Sequence, residues 1–196
     1  EVESVVSLST LLQNIADAEP GPKTCAVFDF DGTIISGYSA TAFLKDQIAR
    51  GEISPADLVQ LTQAATRFGI GSLGFSALMA VHAQYLAGRS EVDYVANSER
   101  LFRRAIAKLI YPEARQLIEA HRAAGHSIAI ISSATPYQVL PAAKDLGIEH
   151  AYATDLQVED GQFTGGVVQP TCFGIGKVHA AERFTAQQGS DLENCF

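Results

Sequence analysis

Two carboxylates separated by one residue close an apolar run, in the string Cys25-Ala26-Val27-Phe28-Asp29-Phe30-Asp31-Gly32-Thr33. On an extended chain alternate residues share a face, so Asp29 and Asp31 start on one side and Phe28 and Phe30 on the other. Gly32 permits a sharp turn directly afterwards, and Thr33 offers a hydroxyl. Carboxylates this close repel each other unless a cation lies between them or one of them holds a proton. Both solutions serve phosphate ester hydrolysis, in which one carboxylate attacks phosphorus and the other shuttles a proton.

The elements that must position this pair can be read along the chain. Leu8, Leu11, Leu12 and Ile15 have helical spacing, and Ala18-Glu19-Pro20-Gly21-Pro22 stops that helix before the motif strand. From Tyr38 to about Ile110 only helical patterns follow, broken at residues 51–55, 69–74 and 88–90, which predicts about four helices. Ser54-Pro55 and Ser90-Glu91 have the form of helix starts. After Tyr111-Pro112 the element types alternate: a helix over 113–124, a strand over 127–131, a helix over 136–146 and a strand through Ala151. This alternation predicts an α/β fold with a parallel, Rossmann-like sheet. Asp160-Gly161 suits the tight turn of a β-hairpin between residues 156–159 and 162–164. A last helix is expected from near Gly176-Lys177 to near Gly189.

At 196 residues the chain can bury a substantial core. Its net charge of -8 and the lack of any Lys/Arg-rich run argue against nucleic acid as a partner. The same charge opposes anions at long range, so phosphate capture must rely on a local Lys, backbone N–H groups and a divalent cation. Cys25, Cys172 and Cys195 have no metal-ligand spacing, and a reduced, cytoplasmic chain is the expectation. The N-terminus has neither an initiator Met nor the features of a signal peptide, which suggests trimming. No residue between Arg67 and Arg89 is charged, but Gly69, Gly71, Ser72, Gly74, Ser76, His82 and Gln84 make residues 68–88 a poor membrane span. A buried helix, or an apolar wall facing a hydrophobic substrate, is expected there instead. His82, His121, His126, His150 and His179 lack ligand spacing, so surface or capping roles are expected for them.

The Asp-Phe-Asp-Gly-Thr string at the end of the first strand resembles the first motif of the haloacid dehalogenase superfamily. That resemblance implies that Asp29 is the nucleophile forming an aspartyl-phosphate. It makes Asp31 the general acid toward the leaving group and then the base toward water. It also implies that Mg²⁺ is held by the Asp29 carboxylate, the backbone carbonyl of Asp31 and a downstream acid of the last motif. A hydroxyl at the end of the second strand is implied as a phosphate ligand; Ser132 is the first such residue and Ser133 the near alternative, with Gly32 and Thr33 beside the same phosphate. Lys177, in Gly174-Ile175-Gly176-Lys177, matches the family's charge-neutralising lysine. The family's last acidic cluster has no good match, since Asp191 precedes any expected strand, and the natural protein is expected to continue past Phe196.

The helical stretch between the first two motifs resembles the cap of the phosphoserine phosphatase-like branch. The implied division is a core of residues 1–36 and 111–196 with a helical cap over 37–110. Ser36-Gly37-Tyr38-Ser39 stands where phosphoserine phosphatases carry an acid for the substrate ammonium. Gly21-Pro22-Lys23, Gly37-Tyr38-Ser39-Ala40, Tyr111-Pro112-Glu113-Ala114-Arg115 and Ser132-Ser133-Ala134-Thr135 look like the phosphatase-like domain fused to 1-acylglycerol-3-phosphate acyltransferases. The function implied is a Mg²⁺-dependent phosphatase for a small or lipid-linked phosphomonoester, membrane-associated if such a fusion is present. Two rivals stand beside it: a phosphate-binding or interaction module lacking the last metal-ligand motif, and phosphotransfer to an alcohol through the same residues. Arg67, Arg89, Arg103 and Arg104 are the candidates for gripping a substrate anion in the cap. The sequence does not indicate an oligomeric state.

Overall fold

The apolar run Cys25–Phe28 forms β1, and Ser127–Ile131 forms β2 beside it in parallel, with Cys25 opposite Ser127 and Phe28 opposite Ile130. His150–Tyr152 adds β3 on the far side of β2, also parallel. This computed structural model describes residues 6–54, 56, 57, 59, 60, 62, 63 and 72–196. Pro55, Arg67 and residues 69–71 of the expected break at 69–74 lie outside the described residues, and a helix already begins at Ser72.

The period of two along the strands sorts the core into layers. Cys25, Val27, Ala129 and Ile131 pack with Phe184 and Ala180 of α7 (Ile175–Gln187). Ile128 and Ile130 turn to the other face, with Ile118 of α5 (Pro112–Ala123). Phe28 meets the His121 ring edge-on on that same face. Phe184 is fully buried, and its truncation to Ala would cost about 3–5 kcal/mol.

Helix α1 (Leu8–Asp17) is capped by Ser7, whose hydroxyl accepts from Thr10 N–H, and it lies against α5. Helix α2 (Ser39–Ala49) follows the motif turn. Residues 56, 57, 59, 60, 62 and 63 are helical, and the expected start at Ser54 is present: its hydroxyl accepts from Asp57 N–H at 3.2 Å. Helices α3 (Ser72–Leu86) and α4 (Glu91–Leu101) complete the helical stretch. Ser90 caps α4 as expected, accepting from Asp93 N–H. A π-helical turn at Phe102–Ile106, which the periodicity does not reveal, then leads back toward the sheet. The two strands of chain that join this stretch to the sheet pair with each other, Ile35 opposite Ile110.

Helix α6 (Pro136–Leu146) follows β2 and ends on Gly147, whose φ of 64° is the left-handed conformation that glycine adopts freely. The hairpin forms from β4 (Leu156–Glu159) and β5 (Gln162–Val167), the second strand running three residues further than its composition suggests. Past α7, Cys195 pairs in parallel with Cys25, and Phe196 N–H donates to the Cys25 carbonyl at 2.9 Å. The sheet therefore extends to the side of β1 opposite β2. Among the described residues no helix is long and apolar enough to cross a membrane.

Candidate active site

Strand parity decides which element Asp29 meets. It shares the alternation of Cys25 and Val27, the face covered by α7, and the first turn of α7 carries Lys177. The Lys177 ammonium lies 2.9 Å from Asp29 Oδ1. The same oxygen accepts the Phe30 backbone N–H at 2.8 Å. Both side chains are partly exposed, at 32% for Lys177 and 42% for Asp29, so the pair opens to solvent and to a ligand. The sequence brings Lys177 this close by way of glycine. A Cβ at Gly176 would fall on the Thr171 carbonyl oxygen, so the loop before α7 packs against backbone alone.

Asp31 takes a different environment two residues later. Phe30 and Ile34 are fully buried and anchor the turn between them, while Gly32, at φ 76°, donates its N–H to the Gly37 carbonyl. This closes a loop that delivers the first turn of α2 to Asp31, whose Oδ1 accepts the Ser39 N–H at 2.6 Å. Burial pushes the Asp31 carboxyl above its ordinary pKa. Hydrogen bonds from Ser39 oppose the rise, the neighbouring Asp29 adds to it, and Lys177 opposes it. The two acids thus differ in setting: one is paired with a cation, and the other is raised in pKa by burial.

Ser132 leaves β2 at the same sheet end from which Asp29 leaves β1. It is 1% exposed, and its hydroxyl accepts the Ala134 N–H at 3.1 Å. Ser133 is half-buried, whereas Gly32 and Thr33 lie on the surface. Behind Ser132, Thr135 and Gln138 form a capping box at the start of α6. The Gln138 amide then donates to the Ser39 hydroxyl at 2.9 Å. Ser39 enters the motif strings without a role, and Gln138 lies in none of them. Thr-x-x-Gln before a helical run was the available signal for the second, and nothing in the sequence joins it to Ser39 across 99 positions.

The remaining candidates are placed elsewhere. Arg89 is bound to Glu52 at 2.6 Å and Arg104 to Asp46 at 2.5 Å, while Arg103 is 70% exposed beside Glu99. Asp191 caps a short turn, accepting from Glu193 N–H and the Asn194 amide. His121 and His126 are buried rather than on the surface, Nδ1 to Nδ1 at 2.9 Å, because the tight turn at Gly125 folds the start of β2 back onto α5. A cavity of about 680 Å³ between α4, α6 and the hairpin is lined by Tyr137, Leu140, Leu156 and Val158, and by none of Asp29, Asp31, Ser132 or Lys177.

Among curated proteins, the chain is 30% identical over 197 residues to "Probable phosphatase Rv3661" of Mycobacterium tuberculosis H37Rv, spanning 99% of this chain and 68% of that one. It is 32% identical over 175 residues to "Phosphoserine phosphatase SerB1" of the same organism, covering 87% of this chain and 56% of the relative. Among solved structures, a Bordetella pertussis protein of unknown function superposes with a TM-score of 0.75 at 25% identity, covering 87% of this chain and 78% of that one. A phosphoserine phosphatase holding an analogue of its phospho-aspartyl intermediate has a TM-score of 0.62 at 22% identity, over 89% and 76%. It shares the parallel-sheet fold. Residues 26–196, from β1 to the strand beside it, match the model of one family, and with a relative 30% identical and covered over 68% of its length this settles the membership: the chain belongs to the haloacid dehalogenase-like hydrolases.

Proposed function

We propose that this hydrolase cleaves phosphomonoesters through an aspartyl-phosphate on Asp29. The observation that carries the reading is the contrast between the acids: Asp29 lies 2.9 Å from the Lys177 ammonium, while the Asp31 carboxyl accepts the Ser39 N–H and has its pKa raised by burial. An Asp29 oxygen attacks phosphorus as the bond to the ester oxygen breaks, and Asp31 gives its proton to the departing alkoxide. Asp31, now ionised, takes a proton from water. The resulting hydroxide attacks phosphorus, releasing inorganic phosphate and restoring the Asp29 carboxylate. Lys177 offsets charge on the phosphoryl oxygens as a point charge on a flexible stem. Ser132 supplies a hydroxyl at the start of α6, with Ser133, Gly32 and Thr33 around the same oxygens. Residues 37–110 act as the cap over this site, and the hairpin is bonded to them.

The donor set fits Mg²⁺, which binds through one or two carboxylates together with substrate phosphate and retained waters. The Asp29 carboxylate and the Asp31 backbone carbonyl would hold it, leaving the Asp31 carboxyl free for proton transfer, and when bound it withdraws charge from the phosphoryl oxygens. Among the described residues no group of three or more His, Cys, Asp and Glu side chains is arranged for a metal. A second reading of the same residues is a module that binds phosphate without turning it over.

One experiment separates the two. The chain is mixed with p-nitrophenyl phosphate and Mg²⁺, quenched within a turnover and mapped by peptide mass. One phosphoryl group on the peptide containing Asp29, lost together with turnover in Asp29→Asn, is the expected result. Full turnover by Asp29→Asn would sink the nucleophile assignment, and binding with neither label nor turnover would favour the module.

A further inference from the structure

Helix α3 lies as a bar between the hairpin and the first turn of α7. Near its C-terminus the Gln84 amide donates to the Gly165 carbonyl at 3.1 Å, and Gly88 N–H donates to the Phe163 carbonyl at 2.8 Å. Toward its N-terminus the Phe75 ring stacks on Phe173, with centroids 4.4 Å apart and planes 7° from parallel. Phe173 stands four residues before Lys177, which holds Asp29. Fifteen residues at the helical rise make this bar about 22 Å long.

The bar carries no formal charge. Ser72 to Gly88 contains no Asp, Glu, Lys or Arg. Its single imidazole, His82, is kept neutral by burial and then by the nearby Arg89, which lower its pKa to about 4. Arg89 itself is held by Glu52 and lies over the Tyr85 ring at 4.4 Å. Gly32 to Leu44, the segment that follows Asp31, is also without charge, and its Ser39 is engaged by Asp31 and Gln138. A charged alcohol moiety would be desolvated beside these segments without a partner, at a cost that an apolar one avoids. Phe75 and Met79, four apart, share a face of α3, and both are partly buried. Methionine adapts its shape to varied apolar groups.

We infer that the alcohol part of the substrate is an apolar alkyl or aryl group, packed against Phe75, Met79 and Phe173. This deepens the phosphatase reading and rests on it. The test uses the chain with Mg²⁺ and a series of n-alkyl phosphates from ethyl to octyl, in which the leaving alcohols have similar acidity. Phosphoserine and phosphoethanolamine are the charged comparators. The expected kcat/KM rises with each methylene, by up to about fourfold where the group is fully buried. It exceeds that for either charged ester by tenfold or more. In Met79→Glu the octyl-to-ethyl ratio of kcat/KM falls at least tenfold. Because both esters are read in one preparation, a fraction of misfolded protein cancels, and Phe75→Leu gives a second, milder reading of the same ratio. A flat series, or preference for phosphoserine, overturns the inference and leaves the phosphatase intact. No turnover of any ester overturns the phosphatase reading and the inference together.

Discussion

Gln138, in the first turn of α6, donates to the hydroxyl of Ser39, in the first turn of α2, at 2.9 Å. Through Ser39, whose N–H holds Asp31, the element after β2 is connected to the acid after β1. Gln138 Oε1 also accepts from the Thr135 N–H and hydroxyl, so its truncation leaves buried donors unpaired. Gln138→Ala should destabilise the fold by about 1–3 kcal/mol, measured by chemical denaturation.

The Ser39 hydroxyl is one of the groups that hold the Asp31 pKa down against burial. Removing it in Ser39→Ala raises that pKa further. A general acid works while protonated, so kcat/KM falls as pH rises through its pKa. The alkaline limb of the pH–rate profile should therefore move to higher pH in Ser39→Ala, and a limb that stays or moves down would contradict Asp31 as the acid.

Asp31→Asn removes both proton transfers. Alkyl phosphates, with poor leaving groups, should lose about 10²–10⁴-fold in kcat. p-Nitrophenyl phosphate needs little help to leave, so it should still load Asp29 and then stall. Stopped-flow should record a burst of p-nitrophenolate close to one per site, followed by a slow phase.

Gly176→Ala should displace the loop before α7, since the new methyl meets the Thr171 carbonyl oxygen. Strain of this kind costs about 1–3 kcal/mol. Because Lys177 is the next residue, KM for phosphomonoesters should rise as well. Thermal unfolding and steady-state kinetics on the same sample check both.

The buried imidazoles make a statement about acid. Burial, and then His126, lower the pKa of His121 to about 4, and burial also lowers that of His126. The unfolded chain binds the proton first, near pH 6.5, so stability is full above that value. It falls as pH drops from about 6.5 toward 4, by about 1.4 kcal/mol per pH unit for each proton taken up. Urea midpoints at pH 7.5 and 5 should differ accordingly, and less so in His121→Leu.

The core elements were legible because glycine, proline and strand parity act over a few residues. Ser127–Ile131 and Pro136–Leu146 fall where the alternation and the Gly147 stop put them. Asp29 and Lys177 could be paired on paper because the motif order is carried by sequence, and the salt bridge agrees with it. Ser39 and Gln138 could not, since their partnership depends on how α2 is laid across α6. The buried histidines escaped for the same reason: a pair five residues apart looks like surface until the turn at Gly125 folds it inward.

The crossing of chain at residues 35 and 110 has a mechanical meaning. Ser36 N–H donates to the Leu109 carbonyl at 2.8 Å, and Tyr111 N–H donates to the Ile34 carbonyl at 2.9 Å. Two antiparallel tethers bonded to each other behave as a ribbon, easy to bend across its thickness and hard to shear in its plane. Any swing of the helices carried between these tethers would be confined to a single axis, like a door on a piano hinge, and the Phe75–Phe173 stack is a second point at which those helices touch the chain leading into α7.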